Sequence, residues 1–204
     1  MKAVLINGSP RPGGNTDTML KRVQEELDTA GWETDFVQLG GKKIRGCMAC
    51  FKCWENKDQK CVVDNDKFNE TYAKMVEADA MIIGSPTYFA DVSAETKALL
   101  DRSGMVGLAN DRAFAGKIGG AVVAVRRGGG IHVFDTINHM YLMSQMIVPG
   151  STYWNLGRGL EKGEVSNDPE GLENMKSLGQ TINWLGRAMK AAETPFPKNE
   201  EFFG

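Results

Sequence analysis

The stretch at residues 7–16, NGSPRPGGNT, constrains the chain more than any other. It follows a short apolar run at residues 3–6 and precedes Met19, Leu20, Val23 and Leu27, which recur at helical spacing. It is therefore a strand-to-helix turn. Its glycines, Gly8, Gly13 and Gly14, let the backbone come close to a ligand. Ser9, Asn15 and Thr16 add hydroxyl and amide groups beside the unpaired N–H donors of the helix start, where the helix dipole favours an anion. Arg11 adds a charge-assisted contact. The turn has neither a Gly-Lys-Ser/Thr ending nor GxGxxG spacing, so it is not a nucleoside triphosphate loop or a dinucleotide fingerprint. With a hydroxyl, an arginine and a helix start together, it reads as a phosphate site rather than an ordinary glycine-rich turn.

The rest of the chain alternates in the same way. Residues 2–7 read as a buried strand, 16–30 as a helix closed by Gly31, and 33–39 as a second strand. A long irregular stretch, 40–65, comes next. Residues 67–77 are amphipathic, 80–84 form a third strand, 93–103 a helix, 117–125 a fourth strand and 131–145 a helix. Residues 146–148 read as a short fifth strand. Asp168-Pro169 has the form of an N-cap followed by proline at the first helical position, opening a helix that runs to about Ala192. Strands alternating with helices predict an α/β fold with a parallel sheet covered on both faces, in the doubly wound order 2-1-3-4-5. In that order a crevice opens at the carboxyl ends of strands one and three, bringing residues 8–16 opposite residues 85–91. Residues 1–194 are expected to form one domain, with 40–65 as an insertion. Residues 195–204 read as a tail whose Phe196, Phe202 and Phe203 are expected to pack on a neighbouring subunit.

At 204 residues, 42% hydrophobic and 25% charged, the chain is long enough for a full globular core. A net charge of −2 makes no electrostatic case for nucleic acid or an anionic membrane surface. The apolar runs fall well short of the roughly 20 residues that span a bilayer. Met1-Lys2 leads straight into a strand, so no signal peptide is expected and the cytoplasm is the expected location.

Two further loops bear on the crevice. SPTYFAD at 85–91 offers Pro86, Tyr88 and Phe89 to the edge and face of a flat ring. RRGGG at 126–130 sets three glycines, Gly128, Gly129 and Gly130, beside two positive charges, Arg126 and Arg127. A phosphate at the first loop, a flat ring at the other two and a sugar chain between them describe FMN. All four cysteines fall in one run, Cys47-x2-Cys50-x2-Cys53-x7-Cys61. In a reducing compartment this is a metal or redox site before it is a disulfide framework. Four thiolates suit a [4Fe–4S] cluster, and also structural zinc. Zinc usually takes two separated pairs, so the compact triple spacing favours iron–sulfur. Four reduced thiols without a cluster is the bland reading. The polar segment ENKDQK at 55–60 must bend out into solvent if Cys61 is to close the site.

GSPRPGGNT, SPTYF and RRGGG, in this order, resemble the NADPH-dependent FMN reductase branch of the flavodoxin-like proteins. With the cysteine run added, the chain is similar to the iron–sulfur flavoproteins of anaerobic microbes, over residues 1–192. The resemblance implies a flavodoxin-like fold, tightly bound FMN, and a homodimer or homotetramer in which a neighbour helps cover the flavin. Carried over residue by residue, it implies that Ser9, Arg11, Asn15 and Thr16 hold the phosphate. Pro86, Thr87, Tyr88, Phe89, Arg126, Gly128 and Gly129 would border the isoalloxazine. Cys47, Cys50, Cys53 and Cys61 would ligate the cluster. The expected function is an FMN-dependent oxidoreductase whose chemistry belongs to the flavin, with no protein acid or base assigned. With a cluster, a ferredoxin-type partner is expected. Without one, the chain would be an NAD(P)H-dependent reductase of a small molecule: a quinone, a flavin or an aromatic acceptor. Rivals of another class are a redox carrier or sensor without turnover, and a zinc-stabilised binding module. His132 is expected to be structural, and Asp91 to cap the following helix.

Overall fold

A computed structural model of the chain describes residues 1–198. Among the described residues, five parallel strands form one sheet in the order β2-β1-β3-β4-β5. These are β1 (Lys2–Asn7), β2 (Glu33–Gln38), β3 (Ala80–Pro86), β4 (Ile118–Val125) and β5 (Leu156–Arg158). The doubly wound, flavodoxin-like order expected from the alternation is the one observed. Side chains of β1 alternate across the sheet: Val4 and Ile6 enter one core, Ala3 and Leu5 the other.

The first core is closed by α3 (Phe68–Glu77), α4 (Ala94–Ala109) and α5 (Gly130–Met143). The second is closed by α1 (Asn15–Thr29) and α6 (Pro169–Ala191), through Met19, Leu20, Val23 and Leu27 facing Met175, Leu178 and Ile182. A short helix, α2 (Lys52–Asn56), lies in the cysteine stretch. The α6 cap is as expected: Asp168 Oδ1 accepts from the Gly171 N–H at 3.1 Å, with Pro169 at the first position.

The fifth strand is a correction. Residues 146–148 form only an isolated bridge, Ile147 beside Ile118, and the strand proper is Leu156–Arg158 beside Val123–Val125. Pro149 follows the apolar run and offers no N–H, so pairing stops. The true strand carries a glycine because it must. A Cβ on Gly157 would stand 2.6 Å from the sulfur of Met19. Such a strand has no apolar signature to read.

Phe196 lies against its own chain, where a Cβ on Gly116 would meet its ring at 2.8 Å, and stays 39% exposed; Phe202 and Phe203 lie outside the described residues. One other expectation is revised. Asp91 does not cap α4. That place is held by Ser93, whose side chain accepts from the Thr96 N–H. Ser93 sits at N-cap spacing from Thr96, and Asp91 is two residues too early.

Candidate functional site

The first loop is built from the ends of β1 and β2. Asn7 Oδ1 accepts from the Ser9 N–H at 3.0 Å, and its amide donates to Gln38 Oε1 at 2.9 Å. Gln38 in turn donates to the carbonyls of Ser9 and Gly40 at 2.7 and 3.0 Å. From the other side, Ser93 Oγ donates to the Gly8 carbonyl at 2.8 Å. Loop one is thus tied to the start of α4 and to the end of β2 by the protein's own residues. Pre-organisation of this kind reduces the ordering cost of binding.

At the carboxyl ends of β1 and β3 lies an open cleft. It is lined by Ser9, Arg11, Asn15 and Thr16 from loop one, Pro86, Thr87 and Tyr88 from loop two, and Arg126 from loop three. Thr16 Oγ1 is buried and has no hydrogen-bond partner. A buried hydroxyl left unsatisfied is costly, and such an atom beside a helix start points to a ligand oxygen. Arg11, Arg126 and Lys162 make the cleft predominantly cationic against the one carboxylate of Glu161. Asn15 is partly engaged, since its Oδ1 accepts from the Val165 N–H at 3.1 Å.

Phe89, Gly128 and Gly129 do not line the cleft. Phe89 and Ala90, at φ 48° and 64°, occupy the centre of a tight turn closed by Tyr88 and Asp91, and Phe89 projects fully into solvent. Two left-handed non-glycine residues in succession store backbone strain at the mouth of the crevice. Gly129, at φ 86°, joins loops three and two: a Cβ there would stand 2.9 Å from the Ala90 Cα. Asp91 Oδ1 accepts from Thr136 Oγ1 at 2.9 Å, and its Oδ2 lies 3.6 Å from His132 Nε2. Burial pushes the Asp91 carboxyl up, but the Val92 N–H, Thr136 and His132 outweigh it and hold the pKa below the ordinary aspartate value.

One wall of the cleft was not anticipated. Gly159, Leu160, Glu161 and Lys162, following β5, close over loop one. Arg11 donates to the Leu160 carbonyl at 3.4 Å, and Glu164 Oε2 accepts from the N–H groups of Leu160 and Glu161 at 2.7 and 2.8 Å. The run GRGLEKGE at 157–164 has the glycines and charges of a ligand loop. It becomes readable as one only once β5 is set directly before it.

The four cysteines line a second, apolar cavity, with Cys53 and Cys61 half-buried and Cys47 and Cys50 exposed. Ala49 and Phe51 are left-handed, at φ 51° and 56°, which winds the loop tightly around the cavity. The Ala49 N–H donates to Cys47 Sγ at 3.4 Å. Cys61 is clamped by Asn69, which accepts from its N–H at 2.9 Å and donates to its carbonyl at 2.8 Å. Burial pushes the Cys53 thiol up, and the nearby Cys61 and Cys47 push it further. Residues 55–60 are exposed, as the spacing required. Among the described residues, no three Cys, His, Asp or Glu side chains form a group able to hold a single metal ion. A cubane places each thiolate on its own iron, so its ligands stand farther apart than those of one ion. Four thiols line one apolar pocket, and thiolates are the donor type such a cluster takes.

The sheet order and a crevice at its switch point define a flavodoxin-like protein. The fold is shared with the RosB structure containing 8-demethyl-8-formylriboflavin-5′-phosphate, at a TM-score of 0.73 and 18% identity over 95% of this chain and 82% of that one. It is also shared with a flavodoxin from the domain Archaea, at a TM-score of 0.59 and 18% identity over 92% of this chain and 99% of that one. The model of the NADPH-dependent FMN reductase family matches residues 1–161. An iron–sulfur flavoprotein of Methanocaldococcus jannaschii is 37% identical over 197 residues, 93% of this chain and 100% of the relative. The chain belongs to the NADPH-dependent FMN reductase family, and it is an FMN-dependent redox protein. No helix among the described residues is long and apolar enough to cross a membrane.

Proposed function

We propose that this protein is an FMN-dependent oxidoreductase that passes electrons between a [4Fe–4S] cluster on Cys47, Cys50, Cys53 and Cys61 and FMN seated in the crevice. FMN supplies two-electron or one-electron chemistry at its ring when bound. The protein's residues bind, orient and shield it. Ser9, Arg11, Asn15, Thr16 and the start of α1 hold the phosphate, with Lys162 closing from the far side. Pro86, Thr87, Tyr88 and Arg126 border the ring. Phe89, Gly128 and Gly129 shape the mouth of the crevice. The observation that carries this reading is the position of Cys47. It lines the cysteine cavity and also the broad groove between α4 and α5, whose wall includes Asp91 of loop two. The thiols therefore border a groove that reaches loop two, the same loop whose Pro86, Thr87 and Tyr88 line the crevice. A ferredoxin-type protein or a small-molecule acceptor is the redox partner, and NAD(P)H the alternative donor. A homo-oligomer in the cytoplasm completes the proposal.

The test is an absorption spectrum of anaerobically purified protein with iron and sulfide assays. The proposal expects flavin bands over a broad cluster absorbance, with about four irons per chain. Flavin without iron would leave an NAD(P)H-dependent reductase and remove the cluster. Stoichiometric zinc without iron would replace the cluster with a structural metal.

The phosphate half has its own test. Thr16→Val keeps the methyl that packs against Gly84 and removes the orphan hydroxyl. A hydrogen bond to a charged group contributes about 1.5–3 kcal/mol, so FMN affinity is expected to fall roughly tenfold to a hundredfold. The apoprotein should keep its melting temperature. Unchanged FMN affinity by fluorescence titration would remove Thr16 from the phosphate site.

A further inference from the structure

Arg102 is the largest fully buried side chain of the described residues, and it lines the cysteine cavity. It is a residue of α4, far in sequence from the cysteines, and nothing in the motif points to it. Its Nη1 donates to Asp66 Oδ2 at 2.6 Å and to the Arg45 carbonyl at 3.2 Å. Its Nη2 donates to the Val63 carbonyl at 2.8 Å. Arg45 lies two residues before Cys47, and Val63 two residues after Cys61. One guanidinium thus joins the two ends of the cysteine loop. Asp66, whose side chain is fully buried, completes the arrangement by accepting from the Arg45 N–H at 3.1 Å and the Phe68 N–H at 3.0 Å. Phe68 lies 4.0 Å beneath the guanidinium and fixes its plane. Arg102 Nε is buried with no partner, on a side chain that borders the cavity.

A buried ion pair is weak evidence for stability as such, because desolvation offsets the attraction. What a rigid five-donor fork does well is fix the geometry of several acceptors at once. Here the acceptors are the two stems of a 15-residue ligand loop (Cys47 to Cys61, counted inclusively) whose interior has little regular structure. We infer that Arg102, with Asp66, is the clasp that holds the cysteine loop closed before a cluster binds, making it a positioning residue for the metal centre. The use of the clasp rests on the cluster reading above; its existence as a loop restraint does not.

The experiment has two readouts on the full chain with FMN bound. Amide hydrogen exchange of residues 45–63 is followed in cluster-free protein, and iron and sulfide incorporation is followed on anaerobic reconstitution. For Arg102→Met, exchange of the loop is expected to rise about tenfold or more, and cluster yield to fall about tenfold, with FMN content unchanged. Arg102→Lys keeps the charge but cannot reach three acceptors, so it should restore cluster yield only in part. Asp66→Asn, nearly isosteric, should shift both readouts in the same direction and serves as the decisive variant if Arg102→Met does not fold. Loop exchange and cluster yield at wild-type levels in Arg102→Met or Asp66→Asn would overturn the inference. So would loss of FMN in parallel with loss of iron, which marks a general folding role. If the wild-type chain takes up no iron, the cluster reading falls alone. The exchange measurement still decides the clasp.

Discussion

Gly40→Ala is expected to empty the crevice. A Cβ at this position would stand 2.2 Å from the Ser9 carbonyl carbon and 2.5 Å from the Gly8 oxygen. These are backbone atoms of the phosphate loop, not the ends of flexible side chains. Loop one cannot yield freely, because Asn7, Gln38 and Ser93 all hold it. Overpacking of this kind costs about 1–3 kcal/mol where side chains can adjust, and the upper end or more is expected where only backbone can. FMN affinity should fall by about a hundredfold, since the N–H groups of the loop must move from their aim. Fluorescence titration and apoprotein melting check both effects. Gly104→Ala is the matched control. A Cβ there meets nothing within 4 Å in the middle of α4, so the same change should stabilise by about 0.5–1 kcal/mol. Wild-type FMN binding by the Gly40 variant would show that loop one does not need its observed position.

Cys53→Ser is expected to separate the two cofactors. Cys53 is half-buried in the cysteine cavity, and its thiol lies 3.9 Å from the Met105 carbonyl of α4. A hydroxyl of nearly the same size keeps the packing but does not provide a thiolate ligand. Iron and sulfide should drop to below about a tenth of the wild-type level, with FMN occupancy intact. The flavin cleft shares no lining residue with the cysteine cavity, so the substitution leaves the residues that line the flavin cleft in place. Full iron content in the variant would take Cys53 out of the ligand set. Loss of FMN along with iron would show that the cavities are coupled.

Much of the site was legible in local chain chemistry. The turn at 7–16 carries its own glycines, hydroxyls and helix start, so its anion-binding character needs no distant residue. The alternation of apolar runs with helical spacing leads to the sheet order, and the order places loops one and two at one edge. The cysteine spacing likewise announces a metal-type loop by itself. What local pattern could not reveal came from elsewhere in the chain. β5 is three residues long and depends on Gly157 lying against Met19, so the apolar run at 146–148 was the more strand-like stretch. The loop at 159–162 was hidden with it. Asp91 looked like a cap but is held by Thr136 of α5, because Ser93 is better placed to meet Thr96.

The sequence alone determined the class of fold and the chemical character of each loop, because those follow from residue type and spacing over a few neighbours. Only the tertiary structure decided which loops share a cavity, why Gly40 cannot be alanine, and that Arg102 closes a loop centred nearly fifty residues earlier. Each of those is a meeting of atoms from segments far apart in the chain. Such contacts are set by how the helices pack on the two faces of the sheet, and no local pattern records them.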